Sequence, residues 1–284
     1  MSFAKNVSVV VCVKNVEKII EPCIKSVLEN NPKEIIVIDG QSHDRTKEIA
    51  ELFNAKVFSD EGKGLSYARR LGVIKSQGEY VLFLGPDNII KPNFIDDFVK
   101  NLTDWNFDVA TTFTRVKSPI GYWDKGLDCR WRLLMSSPGP RKVIGTPGLY
   151  KRKCFEKINF SKQDLGPCDD TLFSDRLLKL DYKLGLVPIT LYDQNGSTAA
   201  STWERYKWYG SGDNAFFNYN SISWSVKRKL KSILHPLNQT LNYSSKVVFT
   251  SDFPYLGWLF FTMIARYYGW INSIFKINIK IKEG

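Results

Sequence analysis

Cysteine is sparse in this chain of 284 residues, and its cysteines are not arranged in pairs. There are five, an odd number, and no two of them form a C-x-x-C pair. This pattern argues against a disulfide framework and against a zinc site. We therefore expect a protein that works in a reduced, cytosolic setting.

Targeting signals and repeats are lacking as well. The apolar run Val7–Val13 is too short for the core of a secretory signal, and no small-residue cleavage site follows it. We expect the N-terminus to be that of a mature protein. With 43% hydrophobic residues the chain is not disordered, and its length suits one large α/β domain with an appendage or two small domains.

Positive charge is in excess. Lysine and arginine number 40 against 29 acidic residues, which gives a formal net charge of +11. Such a balance indicates an anionic partner, which could be nucleic acid, anionic lipid or a phosphate-bearing substrate. Charge alone does not choose among these three.

Apolar runs alternate with helical periodicity along the first part of the chain. The runs VSVVVCV, EIIVID, AKVFS and YVLFL predict strands, the first of them buried on both faces. Helices are predicted from Ile19 to Leu28, from Ser42 onward, and from Leu65 to Ser76. This order implies βαβ units, a mostly parallel sheet, and a binding crevice at the carboxyl ends of the strands.

Two acidic residues, Asp39 and Asp87, follow predicted strands at that edge. A single Asp after a strand is often only a turn residue. Here the surrounding motifs argue for more. The segments VVVCVKNVEK, DGQSHDRT, GKGLSYARRLG, GEYVLFLGPDN and GPCDDTLFSDR follow one another in order. Together they resemble the family 2 glycosyltransferases with the GT-A fold, over about residues 6 to 190.

The resemblance implies a site for a nucleotide-diphosphate sugar, with UDP and GDP both open. Asp39 is expected to face the base or ribose, since a carboxylate accepts from base N–H groups. Asn15 and Glu17 would contact the base or ribose, or would serve at a helix N-terminus. Arg69 has the reach to bind phosphate, or it is a solvated helix residue.

The same resemblance implies a divalent cation, Mg²⁺ or Mn²⁺, beside the diphosphate. Asp87 is the expected metal ligand, with Asn88 next to it at the donor. The family pattern Asp-x-Asp-Asp reads Gly85-Pro86-Asp87-Asn88 here, so its first acid is missing. The family's later metal-binding histidine is also absent, and Asp193, Asn195 or Ser197 could replace it.

Asp169 and Asp170 form an acidic pair six residues before Arg176, counting from Asp170. In the family, such a pair supplies the base that takes the proton from the acceptor hydroxyl during inverting transfer. Asp170 is therefore the predicted catalytic base. Asp169 could simply cap the helix that follows.

The segment STWERYKWYGSG interleaves basic and aromatic residues. In the family, a segment of this kind closes over the diphosphate, and Arg205 and Trp208 are its nearest counterparts here. Such a mixture could also bind single-stranded nucleic acid, although the upstream motifs argue against a nucleic-acid partner.

The C-terminal part of the chain carries a separate signal. Four cations, Lys227, Arg228, Lys229 and Lys231, precede a segment rich in aromatic residues. Between Pro254 and Phe275 the only charged residue is Arg266. Aromatic rings, among them Trp258 and Trp270, and flanking lysines suit a helix lying in a membrane interface. A packed helical appendage and a spanning helix are the alternatives.

The combined reading is an α/β protein with the GT-A fold, a mostly parallel central sheet flanked by helices, and a C-terminal helical appendage that interacts with a membrane. Residues 1–200 form the catalytic domain and residues 201–284 the basic, aromatic C-terminal region. The predicted activity is inverting transfer from a UDP- or GDP-sugar to a polyprenyl phosphate or lipid-linked glycan at the cytoplasmic face of a membrane. The alternative is a degenerate module that only binds a nucleotide or glycan.

Overall fold

The computed structural model describes residues 2–158, 160, 165–194 and 196–282, with side chains as far as Phe275. The chain forms two compact units. The first comprises Met1–Lys117, Met135–Asp164 and Asp169–Gln194; the second comprises Ser118–Leu134, Leu165–Cys168 and Asn195–Gly284. These units are defined by contacts within the chain, and the division at residue 200 stays a prediction about domains.

The first unit contains a nine-stranded sheet. The strands are β1 (Val7–Val13), β2 (Glu34–Asp39), β3 (Lys56–Ser59), β4 (Tyr80–Leu84), β5 (Asn88–Ile89), β6 (Val109–Val116), β7 (Gly139–Pro140), β8 (Gly148–Lys151) and β9 (Leu184–Asp193). The helices of this unit are α1 (Ile20–Leu28), α2 (Thr46–Leu52), α3 (Leu65–Lys75), α4 (Phe94–Asp104) and α6 (Asp169–Lys179).

The strand order is β3-β2-β1-β4-β8-β6-β9-β5, with β7 paired to β9. The half that contains β1 to β4 is parallel, as the alternation of strands and helices predicts. Antiparallel pairs enter with β8, which lies between β4 and β6, and with β5 and β7. The predicted crevice edge is therefore formed by the parallel half.

The strands β1 and β2 are buried on both faces of the sheet. Val9 and Val11 of β1 belong to one apolar cluster with residues of α1 and α4, whereas Val10 belongs to another with Ile36 and Ile38. This arrangement explains why the sequence of β1 is a continuous apolar run rather than an alternating one.

One predicted helix start is wrong. The helix expected from Ser42 begins at Thr46, with Arg45 before it. Ser42 instead belongs to the loop after β2, where its hydroxyl accepts a hydrogen bond from the backbone N–H of Asn15 at 2.8 Å. Contact with a second loop thus outweighs the local preference of serine for a helix start.

The second unit is helical. Its helices are α5 (Tyr122–Leu134), α7 (Ala199–Asn220), α8 (Val226–Ile233), α9 (His235–Val247) and α10 (Leu256–Lys282). Short 3-10 turns occur in both units, at Phe3–Asn6, Arg152–Phe155, Gly166–Cys168 and Phe253–Tyr255.

Helices α7 and α10 cross in close backbone contact at two glycines. A Cβ atom on Gly210 would lie 1.8 Å from the carbonyl oxygen of Arg266, and one on Gly269 would lie 1.9 Å from that of Lys207. Because main-chain atoms are the obstacle, no side-chain rearrangement could make room. The crossing therefore requires glycine at both positions.

The aromatic C-terminal helix is partly buried within this unit. Trp258 and Trp270 are buried, so their predicted place in a lipid headgroup region is wrong. Arg266 is half-buried, and its Nη2 donates to Asp213 of α7 at 2.8 Å. None of the helices in the described part of the chain combines the length and the apolarity that crossing a membrane requires.

We predict that Gly210→Ala destabilises the protein by about 3 kcal/mol, the upper end of the range for overpacking, because the added methyl group meets backbone. Gly121→Ala is the matched control, since nothing lies within 4 Å of a Cβ at that position. Urea unfolding of the two variants measures the difference. Equal unfolding midpoints would contradict the close crossing of α7 and α10.

Candidate active site

Acidic residues lie at the carboxyl ends of the parallel strands. Asp39 is the last residue of β2, Asp60 follows β3, and Asp87 lies in the turn after β4. Because these strands run parallel, their carboxyl ends lie at one edge of the sheet. The predicted acids Asp39 and Asp87 are thus at the same edge.

Asp39 and Asp60 are neighbours, and both are buried. The carboxylate of Asp39 accepts from the backbone N–H of Ser42 at 3.1 Å, and the N–H of Asp60 donates to the carbonyl of Asp39 at 3.0 Å. Asp60 is a further acidic residue at this edge that was not predicted from the sequence. The sequence contains a sign of it, because Asp60, like Asp39, is an acidic residue at the end of a predicted strand.

Asn15 and Glu17 join the loop after β1 to the loop after β2. The side-chain oxygen of Asn15 accepts from the N–H of His43 at 2.8 Å, and Glu17 accepts from the N–H of Arg45 at 3.1 Å. Asp44 accepts in return from the N–H of Glu17 at 3.1 Å. These bonds hold both loops in place beside Asp39, and contact with a donor stays a prediction for Asn15 and Glu17.

Arg69 is buried rather than solvated. Its guanidinium forms an ion pair with Asp169, which is only 2% exposed, and donates to the hydroxyl of Thr146 at 2.9 Å. Burial alone would lower the pKa of Arg69, but the charges of Asp169 and Asp170 raise it. Asp169 therefore does more than begin α6, and neither it nor Thr146 was predicted as a partner of Arg69.

Asp170 lies half-buried in the first turn of α6, beside this ion pair. Burial raises the pKa of its carboxyl group, although the charge of Arg69 and a hydrogen bond from Thr171 partly oppose the shift. The Thr171 hydroxyl lies 3.2 Å from the carboxylate. A carboxylate with a raised pKa is a stronger base than an ordinary aspartate, which is the property that proton abstraction requires.

Cys12, near the end of β1, is influenced by the Arg69–Asp169 ion pair. Burial raises the pKa of Cys12, near the end of that strand, to about 12. Arg69 opposes this shift, while the charges of Asp169 and Asp60 add to it. The charges of all three residues therefore act on the pKa of this thiol. Cys12 itself stays protonated and is a poor nucleophile.

Asn88 closes the turn at Gly85, the position at which the family pattern has its first acid. The side-chain oxygen of Asn88 accepts from the N–H of Gly85 at 2.8 Å, and its amide donates to Asp193 at 2.8 Å. A Cβ atom on Gly85 would lie 2.6 Å from a carboxylate oxygen of Asp87. That oxygen is the far end of a flexible side chain, so a larger residue at position 85 would require the Asp87 side chain to move aside, while the buried Asn88 holds the turn closed.

The residues around this turn are of the type that binds a hard cation, but they are too few to complete its coordination. Asp87 and Asp193 supply carboxylate oxygens, the ligands that Mg²⁺ and Mn²⁺ prefer. Within the described ranges no three His, Cys, Asp or Glu residues are grouped as a metal site. A cation would need oxygens from the diphosphate and from water as well. Asn195 lies outside the described residues, and Ser197 belongs to the second unit.

Arg205 and Trp208 lie on α7 of the second unit. Arg205 is half-buried, and Trp208 is exposed. Their part in donor binding stays a prediction.

Comparison with known proteins identifies the family. The model of glycosyl transferase family 2 matches residues 8–158. Glycosyltransferase GlyA of Streptococcus pneumoniae serotype 4 (strain ATCC BAA-334 / TIGR4) is 30% identical over 209 residues, which cover 66% of this chain and 30% of GlyA. The matched segments make up 30% to 37% of the length of four such curated relatives, so the chain spans about a third of their length.

Solved structures share the fold. Residues 1–349 of TarS from S. aureus are 18% identical, with a TM-score of 0.53 and coverage of 95% of this chain and 91% of that one. The same segment in complex with UDP-GlcNAc has a TM-score of 0.51. Glucosyl-3-phosphoglycerate synthase from Mycobacterium tuberculosis, in complex with Mn²⁺, UDP and glucosyl-3-phosphoglycerate, is 18% identical with a TM-score of 0.52 and covers 76% of this chain and 78% of that one. The predicted GT-A fold class is confirmed.

Asp87 and Asn88 should respond differently to substitution. We predict that Asp87→Ala weakens Mn²⁺-dependent binding of a nucleoside diphosphate, because it removes the proposed carboxylate ligand of the cation. Asn88→Ala should instead destabilise the protein by about 1–3 kcal/mol, because it removes the acceptor of the Gly85 N–H and a donor to the buried Asp193.

Calorimetric titration and thermal unfolding of both variants test this pair of outcomes. Asn101→Ala, which removes an exposed amide on α4, is the control for Asn88→Ala. Equal losses of nucleotide affinity in Asp87→Ala and Asn88→Ala would remove Asp87 as the metal ligand.

Proposed function

Because the chain belongs to glycosyl transferase family 2, we propose that it transfers a sugar from a nucleotide-diphosphate donor to an acceptor hydroxyl with inversion. The observation that carries this proposal is the carboxylate of Asp170, held beside the Arg69–Asp169 ion pair with a raised pKa. Inverting transfer needs one such base, since the acceptor attacks from the face opposite the leaving group.

In the proposed reaction Asp170 takes the proton of the acceptor hydroxyl. The hydroxyl oxygen then forms a bond to the anomeric carbon, and the bond from that carbon to the diphosphate breaks. The electron pair of the broken bond leaves with the diphosphate. Arg69, held by Asp169 and Thr146, supplies positive charge near the reacting groups.

The donor is proposed to be a UDP-sugar, with a GDP-sugar as the alternative. The named complexes of TarS with UDP-GlcNAc and of the mycobacterial synthase with Mn²⁺ and UDP support this choice. The carboxylate of Asp39 would accept a hydrogen bond from an N–H group of the base or from a ribose hydroxyl. Asp87, with Asp193 nearby, would hold a divalent cation, which when bound stabilises negative charge on the diphosphate.

Gly85 favours a second candidate, a module that binds a nucleotide or glycan without turnover. Glycine at this position means that the first acid of the family pattern is missing. Incubation of the protein with UDP- and GDP-sugars, Mn²⁺ and a panel of acceptors distinguishes the two candidates. Saturable nucleotide binding without any sugar transfer would select the binding module.

The strongest test of the enzyme proposal is substitution of the base. Asp170→Asn should lower kcat by about 10²–10⁴-fold, the usual contribution of a positioned general base, while donor affinity changes only a few-fold. Asp175→Asn is the matched control, because Asp175 lies on the same helix, is exposed and pairs with Lys179. A variant that keeps more than about a tenth of the wild-type kcat would place the base elsewhere.

The pH profile gives an independent check on the same residue. A base works only when deprotonated, so activity should fall as the pH drops through the raised pKa of Asp170. The acid limb of kcat/KM should therefore lie above the ordinary aspartate value of about 4. An acid limb at or below that value would argue against Asp170.

For the acceptor we propose a polyprenyl phosphate or lipid-linked glycan, reached at the cytoplasmic face of a membrane. Helix α8 supports this proposal, because none of its residues is buried. Val226, Leu230 and Ile233 form an exposed apolar stripe along it, at 81%, 55% and 41% exposure. Its four cations would add attraction to anionic lipid.

Surface variants test membrane binding without removing α10, which packs on α7. We predict that Lys229→Gln combined with Lys231→Gln weakens binding to anionic vesicles about 30-fold at low salt, at about 1 kcal/mol per charge. Lys47→Gln combined with Lys100→Gln removes two exposed cations of the first unit and is the control. Failure of the intact protein to float with anionic vesicles would rule out the membrane proposal.

A further inference from the structure

Gly145 lies in the segment between β7 and β8, beside the carboxylate of the proposed base. A Cβ atom at this position would lie 3.2 Å from Oδ2 of Asp170. Among the described residues, and apart from the two chain neighbours of the glycine, no other heavy atom lies within 4 Å of that Cβ. The space at position 145 is therefore bounded by one group, the carboxylate that would act as the base.

The backbone around Gly145 does not itself require glycine. Gly145 is not among the residues with a positive φ angle, so alanine could adopt the same conformation. In the described part of the chain, no backbone atom other than those of its neighbours comes within 4 Å of the Cβ position, in contrast to the helix crossing at Gly210. Neither conformation nor main-chain packing thus explains why a side chain is missing here.

Hydrogen bonds on both sides hold this segment in place. The N–H of Ile144 donates to the hydroxyl of the buried Ser174 at 3.0 Å. The hydroxyl of Thr146 accepts from Arg69 at 2.9 Å. Ser174 lies four residues after Asp170 on α6, so both side chains are on one face of that helix. The position of the segment relative to the carboxylate is thus fixed by α6 itself and by the guanidinium.

The distance from the Cβ position to the carboxylate is one at which a base takes a proton. A general base must lie about 2.6–3.2 Å from the oxygen whose proton it removes. A methyl group at position 145 would occupy a point at the outer end of this range, where an acceptor hydroxyl could otherwise lie. Asp170 is half-buried, so a molecule from solution can reach its carboxylate.

We propose that the acceptor hydroxyl approaches Asp170 through the space at position 145, and that Gly145 is a specificity-determining residue of the transfer reaction, an inference that rests on the proposed function. The missing side chain lets a hydroxyl on a bulky carbon skeleton, for example on a ring carbon of a glycan, come within reach of Oδ2. Alanine would still admit water, which has no carbon skeleton and can approach at other angles. Gly145 thus favours sugar transfer over hydrolysis of the donor.

Gly145→Ala should change the use of the acceptor and leave donor binding as it is. With UDP-glucose, Mn²⁺ and octyl glucoside below its micelle concentration, the rate of sugar transfer should fall about 10²-fold, the loss that a displacement of about 1 Å can cause. Hydrolysis of UDP-glucose without an acceptor should fall at most a few-fold. The affinity for UDP and the melting temperature should match those of the wild type.

Gly121→Ala is the control, because it adds the same methyl group at a position where no described residue beyond its neighbours lies within 4 Å. It should keep the wild-type ratio of transfer to hydrolysis. An unchanged ratio in Gly145→Ala would overturn the proposal, since the acceptor would then approach Asp170 from elsewhere. A wild type that neither transfers nor hydrolyses would contradict the proposed function instead.

A titration that needs no turnover tests the same space. A methyl group beside Oδ2 would keep water away from the carboxylate, and loss of solvation disfavours its charged form. In protein labelled with ¹³C-aspartate, the carboxyl resonance of Asp170 is identified by its loss in Asp170→Asn. It should titrate at a higher pH in Gly145→Ala than in the wild type and in Gly121→Ala. The same titration midpoint in all three proteins would overturn the proposal whether or not the chain transfers sugar.

Discussion

A guanidinium buried against a carboxylate is the interaction on which the candidate active site depends. Arg69 of α3 and Asp169 of α6 are 100 positions apart in sequence. A buried charge that loses its partner costs several kcal/mol, so each of the two groups requires the other. Their pairing fixes the start of α6 next to α3, and Asp170 follows Asp169 directly. The position of the proposed base is thus a consequence of the ion pair beside it.

Much of the first unit could be predicted from the sequence, because a strand that is buried on both faces of the sheet has a continuous apolar sequence. The apolar runs of β1, β2 and β4 have the predicted bounds, and α3 ends within one residue of its predicted end. The start of α2 could not be read in this way. Serine is a residue type that often begins a helix. The hydroxyl of Ser42 instead accepts a hydrogen bond from the loop after β1, and the local sequence does not reveal this contact.

The candidate site shows the same division. Asp39 and Asp87 could be placed because a residue after a parallel strand has only one edge of the sheet to occupy. The partner of Arg69 could not be placed, because it depends on how α6 packs. The second unit was harder still, since the aromatic content of α10 fits both a membrane interface and a packed helix. The contacts of Gly210 and Gly269 show that one face of α10 packs on α7. The apolar stripe of α8, in contrast, is exposed.

The bonds between the loops after β1 and β2 bear on how ligand recognition would be divided between folding and binding. Backbone N–H groups of these two loops donate to side chains of the loops or of the first residue of α2, Thr46; the donors are Asn15, Val16, Glu17, His43 and Arg45. Fixing one residue of backbone costs about 1–2 kcal/mol in conformational entropy. In these loops that cost is met when the chain folds. A ligand arriving beside Asp39 would therefore meet an edge that is already ordered, and more of its contact energy would remain as affinity.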